Sequence, residues 1–334
     1  MKKLAILLVN YKSPDLLRDC LRSIYQFQTD DFELLVVDND SNDGTEQMLR
    51  IEFPEVKLLQ MGYNAGFARA NNMGIRNSSC PLFLLLNTDT IIKNDVLNIC
   101  LNRFLSDAAI ACGVQLQNED GSPQISGNYA MRGGLNYLLP VPYLGLLLKT
   151  ISVWLQVKKP NVPEATGRVV VDWINGAFLM VKKEAIEKAG LLDEDFFLYA
   201  EEAEWCSRLK KSGELCIYGD LSVIHLQGVS AGEAFHSEGK GYMDLSDRKG
   251  LQIMLSNFVR IRKEFGIGWF LFQLTGYGLM SLLGFVFLLF EKLFKGPKSR
   301  YTFKKMIGFT KNVFQLMRYC FPIIRNRPFF YKVL

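Results

Sequence analysis

The sequence predicts an α/β fold with a doubly wound, mostly parallel sheet, followed by a hydrophobic and basic helical region that associates with a membrane. Residues 3–115 alternate short apolar runs with amphipathic stretches, which is a βαβα rhythm. The runs lack polar alternation, as a parallel sheet covered on both faces requires. Residues 267–290 (IGWFLFQLTGYGLMSLLGFVFLLF) carry no charge over 24 positions, long enough to span a bilayer. Residues 291–334 then hold eleven Lys/Arg and one acid, Glu291.

In chain order, KLAILLV is the first strand and PDLLRDCLRSIYQF its crossover helix. ELLVVD pairs with DGTEQMLRIEF, VKLLQ with GFARANNMGIRN, and LFLLL with NDVLNICLNRFL, whose helix starts near Asn94; IACGV closes the run. Residues 116–170 read as irregular: GSPQISGN and KKPNVPEATG bracket an apolar stretch with little order signal. VDWINGAFLMVKKEAIEKAG is a strand with a helix behind it, and FFLYAEEAEWCSRLKKSG an acidic helix closed by Gly213 at its C-cap. LCIYG and VIHLQG finish the globular part as separate segments. The expected division is residues 1–230 as the globular domain, with halves 1–115 and 116–230 and an apolar insertion at 135–157. Residues 231–266 follow as a helical connector and 267–334 as the membrane-associating part.

A chain of 334 residues, 49% hydrophobic and 22% charged, buries a sizeable core. Seven cysteines without a C-x-x-C pair fit neither a zinc site nor a small disulfide scaffold, and point to a reduced, cytosolic compartment. The opening apolar run is six residues long before Asn10 and lacks a small-residue cleavage site, so it reads as a strand and not a signal peptide. The net charge of +5 is divided unevenly: residues 1–290 hold 28 bases and 33 acids, leaving the excess of bases to the tail. With the apolar segment beside it, that tail points to anionic lipid and not to nucleic acid.

Ligands of doubly wound sheets sit beyond the carboxyl ends of the strands. Those ends are polar throughout: Asn10 and Tyr11, then Asp38, Asn39, Asp40 and Ser41, then Asn64 and Gly66, then Asn87 and Asp89. Any one of them is an ordinary turn or cap residue; four such ends on one edge indicate a site. The phosphate-cradling G-x-x-x-x-G-K-[ST] and G-x-G-x-x-G loops are missing, as are G-x-S-x-G and H-E-x-x-H. Carboxylates remain to carry the chemistry.

Six motifs in order, LLVNYKS, VVDNDSNDGT, NAGFARANNMGIR, LLLNTDT, WINGAFLMVKKEAI and FFLYAEEAEWCSRLKKSG, span roughly residues 4–230. In them the chain resembles the inverting glycosyltransferases of family 2, which have the GT-A fold of nucleotide-diphospho-sugar transferases, and within them the rhamnosyltransferase-like branch. The resemblance implies a nucleotide-binding half and an acceptor half. Asp38 matches the base reader, a carboxylate that accepts the imide N–H of uracil or thymine, and Asn39 and Ser41 shape its pocket. Asn10 and Tyr11 line the nucleotide from strand 1. Asn64, Gly66 and Ala68 form the N-x-G-x-A turn, where small residues admit the backbone to the nucleotide, with Asn71 on the next helix. Arg69 and Arg76 read as solvent-facing helix charges.

Asp89 matches the second acid of the family's D-x-D and Asn87 stands where the first would be. The resemblance implies Mg²⁺ or Mn²⁺ on an exposed Asp89, where one carboxylate suffices if diphosphate and water complete the shell. His225 falls where the family has a histidine near the metal. The general base matches Glu202, a glutamate where the family carries aspartate, with Glu201 sharing the work; Glu204 reads as an i,i+4 partner of Arg208. Trp173 and Gly176 match the acceptor-side W-x-x-G, with the indole placed to stack on a sugar. His236 has no assigned role.

The function so implied is transfer of a sugar, rhamnose being one candidate, from a dTDP- or UDP-sugar to a saccharide acceptor, lipid-linked, in cell-surface polysaccharide synthesis such as that of O-antigen. A single crossing by residues 267–290 would put the basic tail outside, against the positive-inside rule. A peripheral or monotopic placement on the cytoplasmic side, as a hairpin or interfacial helix pair, keeps the tail on anionic lipid; a fully buried soluble helix is the other reading of this segment. Two further functions compete: a sugar nucleotidyltransferase, which needs a basic glycine-rich loop that NYKSPD lacks, and a membrane-associated scaffold without turnover.

Overall fold

The computed structural model describes residues 2–28, 30–130, 134–226 and 243–333; His236 and part of the expected connector lie outside them. The chain forms two compact units. One comprises Met1–Met131, Pro160–Phe197 and Glu201–Ala234, the other Arg132–Lys159, Leu198–Ala200 and Phe235–Leu334. The apolar insertion therefore groups with the C-terminal helices.

The first unit opens with β1 (Leu4–Asn10), α1 (Pro14–Tyr25), β2 (Phe32–Asp38), α2 (Thr45–Glu52), β3 (Lys57–Gln60), α3 (Gly66–Arg76) and β4 (Leu82–Asn87). After these come β5 (Thr90–Ile91), α4 (Val96–Ser106), β6 (Ala111–Gln117) and β7 (Gly127–Asn128). The main sheet has the order β3-β2-β1-β4 on its parallel side. Successive residues of each strand enter opposite cores: Leu4, Ile6 and Leu8 lie on one face with α1 and α4, Ala5 and Leu7 on the other with α3. Burial on both faces is why these strands are unbroken apolar runs, and the doubly wound class holds.

The later strands are β8 (Asn161–Val162), β9 (Arg168–Val171), β10 (Trp173–Ile174), β11 (Phe178–Lys182) and β12 (Leu215–His225), the last preceded by α6 (Lys183–Ala189) and α7 (Glu201–Leu209). β11 runs antiparallel between β4 and β6, and β12 lies parallel to β6, extending the sheet to β4-β11-β6-β12-β5. The stretch read as irregular supplies β7 and β8, which join β10 in a small three-stranded sheet. Two-residue strands are too short to leave a periodicity, so they are invisible in sequence.

Three local expectations are corrected. LCIYG and VIHLQG are one strand, β12, with a register shift between Tyr218 and Ser222. Gly219 does not end it: the carbonyl of Ala165 approaches so closely that a Cβ there would meet its carbon at 2.2 Å. Helix α7 ends at Leu209, before Gly213, because tight turns take over, Lys211 N–H donating to Arg208 O at 3.1 Å and Ser212 N–H to Leu209 O at 2.7 Å. Helix α4 begins at Val96 with Asp95 as N-cap, after Asn94 turns through φ +53°.

In the second unit, α5 (Leu144–Trp154) precedes α8 (Arg248–Lys295) and α9 (Phe303–Arg325). Gly266, at φ +85° and ψ −179°, breaks α8 where the charge-free run begins. The second half of α8 and α9 run antiparallel, Thr310 Oγ1 donating to Ser281 O and Gly284 lying against Met306.

Candidate active site

The parallel register sets Asn10 beside Asp38, and Val9 beside Asn87, so the ends of β2, β1 and β4 form one row. This is the point where strand order reverses, the ligand crevice of doubly wound sheets. Asp38 is 3% exposed and firmly oriented. Its Oδ1 accepts Ser41 Oγ–H at 2.5 Å and Asn10 Nδ2–H at 3.1 Å, and its Oδ2 accepts Ser41 N–H at 3.1 Å. A carboxylate has about four acceptor positions; the described residues fill three of them, leaving one on Oδ2. Asn10 also donates toward Ser41 Oγ and Thr45 Oγ1 at 3.1 and 3.0 Å and accepts Ser13 Oγ–H at 3.1 Å. Ser13 and Thr45 were not singled out by sequence reading; hydroxyls in a turn carry no mark of this network. Tyr11 is half-buried with the Lys12 ammonium 5.4 Å from its ring centre. Lys12, Asp40 and Asn42 all have φ between +52° and +62°, a costly conformation for non-glycine residues that concentrates at functional edges.

The N-x-G-x-A turn is built differently from its expected use. Asn39 Nδ2–H donates to Gly66 O, Ala65 N–H to Asn39 Oδ1, and Gly66 N–H to Asn64 Oδ1, each at 3.2 Å. Phe67 N–H donates to Phe197 O at 2.8 Å, so these donors at the start of α3 are taken by protein. A Cβ on Gly66 would lie 2.1 Å from that carbonyl at φ +76°, so glycine here admits Phe197. Ala68 is wholly buried in the core, and Asn71, also wholly buried, donates to Phe67 O at 2.9 Å. Neither is at the open edge. Arg76 pairs with Glu194 at 2.9 Å and Arg69 donates to Glu194 O at 3.0 Å, structural roles in keeping with their reading as helix charges. Burial opposes the charge on Glu194, but the hydrogen bonds from Asn72 and Arg76 hold its carboxyl below the usual range.

Asp89 lies directly after β4 and is 2% exposed, not presented openly. The reason is β5: Thr90 pairs with His225 of β12, and Leu226 N–H donates to Asp89 O at 2.8 Å. This folds the acid against His225, whose Nε2 is 3.4 Å from Asp89 Oδ1. Gln124 sets the imidazole's tautomer. Its Nε2 donates to His225 O and to Asn118 Oδ1, both at 2.7 Å, so its Oε1 faces His225 Nδ1 at 2.9 Å as an acceptor. With Gln124 Oε1 accepting, His225 carries a proton on Nδ1, and in the neutral tautomer the Nε2 lone pair faces Asp89. A carboxylate oxygen and an imidazole lone pair converging at this distance suit a cation between them. Among the described residues no cluster of three His, Cys, Asp or Glu side chains occurs, so the rest of a coordination shell would come from diphosphate and water. Gln124, in a stretch read only as loop, left no signal in the sequence.

The two glutamates reach the same edge by way of β11. Asn87 N–H donates to Ala177 O at 3.1 Å, and a Cβ on the neighbouring Gly176 would be 3.4 Å from Glu202 Cβ and Cγ and 3.9 Å from Phe67. Glu202 thus packs against Gly176, next to the residue that bonds the end of β4. Glu202 is half-buried and Glu201 is 3% exposed, with Oε2 unpartnered among the described residues. Burial, then the neighbouring Glu202 charge, pushes the Glu201 carboxyl well above its ordinary range, so it holds its proton. Glu204 forms a bidentate pair with Arg208, 2.7 Å at both contacts, as the i,i+4 spacing predicts. Trp173 is half-buried in β10 with its Nε1–H buried and unpartnered among the described residues.

A doubly wound sheet whose carboxyl edge gathers a buried, hydrogen-bonded acid, an Asp–His pair and a pair of glutamates is an architecture of glycosyltransferases of GT-A type. Residues 5–158 match the Glycosyl transferase family 2 model. Over that stretch, which is a little less than half of the chain, it is similar to glycosyltransferase family 2. It is 28% identical over 253 residues, 73% of its length and 74% of the relative's, to the low-salt glycan biosynthesis hexosyltransferase Agl10 of Haloferax volcanii. It is 27% identical over 237 residues, 64% of this chain and 75% of the relative's, to the N-acetylglucosaminyl-diphospho-decaprenol L-rhamnosyltransferase of Mycobacterium tuberculosis, which bears out the rhamnosyltransferase-like resemblance. Among solved structures, the mannosyltransferase PcManGT from Pyrobaculum calidifontis aligns over 94% of this chain and 87% of its own, with TM-score 0.49 and 15% identity.

Proposed function

We propose that this glycosyltransferase moves a sugar, with inversion, from a UDP- or dTDP-sugar to a hydroxyl of a lipid-linked saccharide in cell-surface polysaccharide synthesis. The observation that carries it is the packing of Glu202 against Gly176, next to the residue that bonds the end of the strand leading to Asp89. Asp38 takes the pyrimidine imide N–H on its remaining Oδ2 position, and Tyr11 lines the nucleotide. Glu202 removes the acceptor hydroxyl's proton as that oxygen attacks the anomeric carbon. Neutral Glu201 leaves Glu202 as the charged member of the pair. Trp173 and Gly176 lie on the acceptor side. Asp89 and His225 are the residues that would hold Mg²⁺ or Mn²⁺, which when bound offsets the charge developing on the departing diphosphate.

Thermal denaturation tests the donor site. UDP- or dTDP-sugar with Mn²⁺ should stabilise the protein, by about 2.7 kcal/mol at a hundredfold excess over Kd. Mn²⁺ alone should do little, because two side chains make a poor site without the diphosphate. An ADP-sugar, lacking the imide, should not stabilise; equal stabilisation by all three nucleotides would remove Asp38 as the reader.

We also propose that the second unit rests on the cytoplasmic face of the membrane, against anionic lipid. The support is exposure: only 33% of the most apolar window of α8 is buried, which favours this placement over a fully buried core helix. Phe272, Leu282, Phe290 and Phe294 of α8 are exposed, as are Leu147 and Trp154 of α5, and exposed apolar side chains of this kind suit a membrane surface. The purified protein should sediment with phosphatidylglycerol vesicles, about tenfold or more weakly with neutral ones, since each base near an anionic surface contributes about 1 kcal/mol. Recovery in the supernatant with both would overturn the placement.

A further inference from the structure

Within the sheet-bearing unit, one run of side-chain hydrogen bonds points in a single direction, with a surface acid at one end and the His225 imidazole at the other. Asp120, exposed at the outer end, accepts the Ser122 N–H at 2.9 Å and its only hydroxyl proton at 2.6 Å. Those bonds hold the Asp120 carboxyl below its usual range, so it remains a charged acceptor. With its proton committed, Ser122 Oγ can only accept, so Asn118 turns its Nδ2–H toward it at 2.8 Å and leaves Oδ1 for Gln124. Gln124 Nε2 then places its two protons on Asn118 Oδ1 and His225 O, each at 2.7 Å. A backbone carbonyl can only accept, which by itself fixes which way round the Gln124 amide lies. Its Oε1 is thereby left facing His225 Nδ1 at 2.9 Å. The inner end of the run is buried, Gln124 being 7% exposed and His225 6%. The Gln124 backbone is held as well, its N–H donating to Leu116 O and its carbonyl accepting Gln115 Nε2–H, both at 2.8 Å.

We propose that Gln124, held in one orientation by Asn118 and the His225 carbonyl, is a positioning residue that keeps the His225 proton on Nδ1 and leaves Nε2 as a lone pair on the Asp89 side. Two tautomers compete at this imidazole. Asp89 Oδ1, 3.4 Å from Nε2, favours a proton on that nitrogen, which would then donate to the carboxylate and no longer be a ligand for a cation. Gln124 Oε1 favours a proton on Nδ1, at the shorter distance of 2.9 Å. Its oxygen cannot turn away, because the amide nitrogen is already bonded twice, and that decides the competition. Gln124 needs to touch neither substrate nor cation; it acts through His225. The inference rests on the reading of Asp89 and His225 as the residues that would hold Mg²⁺ or Mn²⁺.

The test starts with ¹⁵N NMR of the imidazoles in the full-length, unliganded protein, at an alkaline pH where they are neutral. The chain has two histidines, so a His236→Asn variant assigns the His225 signals. His225 should show a protonated Nδ1 and a bare Nε2; a proton on Nε2 in the parent would overturn the proposal even if no Gln124 variant folds. Gln124→Met and Gln124→Glu both lose the bonds to Asn118 and the His225 carbonyl, but only the glutamate keeps an oxygen for Nδ1–H. In Gln124→Met the proton should move to Nε2. The Mn²⁺ concentration giving half of the metal-dependent thermal stabilisation, with UDP- or dTDP-sugar present, should then rise about 10–100-fold, the scale for losing a group that orients a metal ligand. Gln124→Glu should keep the proton on Nδ1 and most of the Mn²⁺ affinity. Equal losses in the two variants would overturn the proposal, since they would reflect only the bonds that both lack. So would a Gln124→Met protein that keeps Nδ1–H, or one that moves the proton without losing Mn²⁺ affinity. If Asp89→Ala kept its Mn²⁺-dependent stabilisation, the reading of the cation site would fail; if Asp89→Ala lost it and Gln124→Met matched the parent, only the positioning role would fail.

Discussion

Glu202→Gln should abolish measurable transfer, a loss on the order of 10²–10⁴-fold in kcat, the range general-base catalysis supplies, while nucleotide-sugar binding and the melting temperature stay near the parent values. The substitution keeps the shape of the side chain beside Gly176 and removes only its ability to take a proton. Glu201→Gln is the informative partner. Burial and the Glu202 charge keep the Glu201 carboxyl protonated, and a glutamine mimics a neutral carboxylic acid in size and polarity. Its kcat should therefore stay within about tenfold of the parent, since the base itself is retained. Equal losses in the two variants would mean that the pair works as a unit sharing one proton. Loss of transfer in neither would favour a protein that binds nucleotide sugars without turning them over.

Asp89→Ala should lower kcat by about 10²–10³-fold, the scale seen when a group that stabilises developing negative charge is removed. The same variant should lose the Mn²⁺-dependent part of the thermal stabilisation by UDP- or dTDP-sugar while keeping the part that Asp38 provides. Two readouts separate this from misfolding. The backbone of residue 89 retains its bond to Leu226 N–H, so β5 should stay paired with β12 and the melting temperature of the unliganded protein should change little. Chelation of divalent ions from the parent should reproduce the variant's donor binding. A variant that keeps full Mn²⁺-dependent stabilisation would move the cation away from Asp89 and His225.

Much of this was legible in sequence because it rests on local chemistry. Leu4 to Val9 and Leu82 to Leu86 are apolar without alternation because both faces of the sheet are covered, and that pattern needs no knowledge of the partners. The polar strand ends, the i,i+4 pair of Glu204 and Arg208, and the charge-free segment followed by a basic tail are likewise properties of short spans. The sites read less well where a residue's use depends on a distant neighbour. Gly66 and Ala68 are small for packing reasons: one faces the carbonyl of Phe197, the other the core. Gly213 looked like a helix cap and instead approaches Ile110, where a Cβ would lie 2.7 Å from a methyl carbon.

The sequence by itself determined the fold class and the placing of polar residues and acids at the strand ends, because strand periodicity and turn chemistry are set within a few residues. Only the tertiary structure decided what surrounds those acids. A two-residue strand folds Asp89 onto His225, a glutamine 101 residues away orients that imidazole, and the turn before β11 brings Gly176 against Glu202. Such contacts join residues far apart in the chain, and nothing in the spacing of either partner records the other.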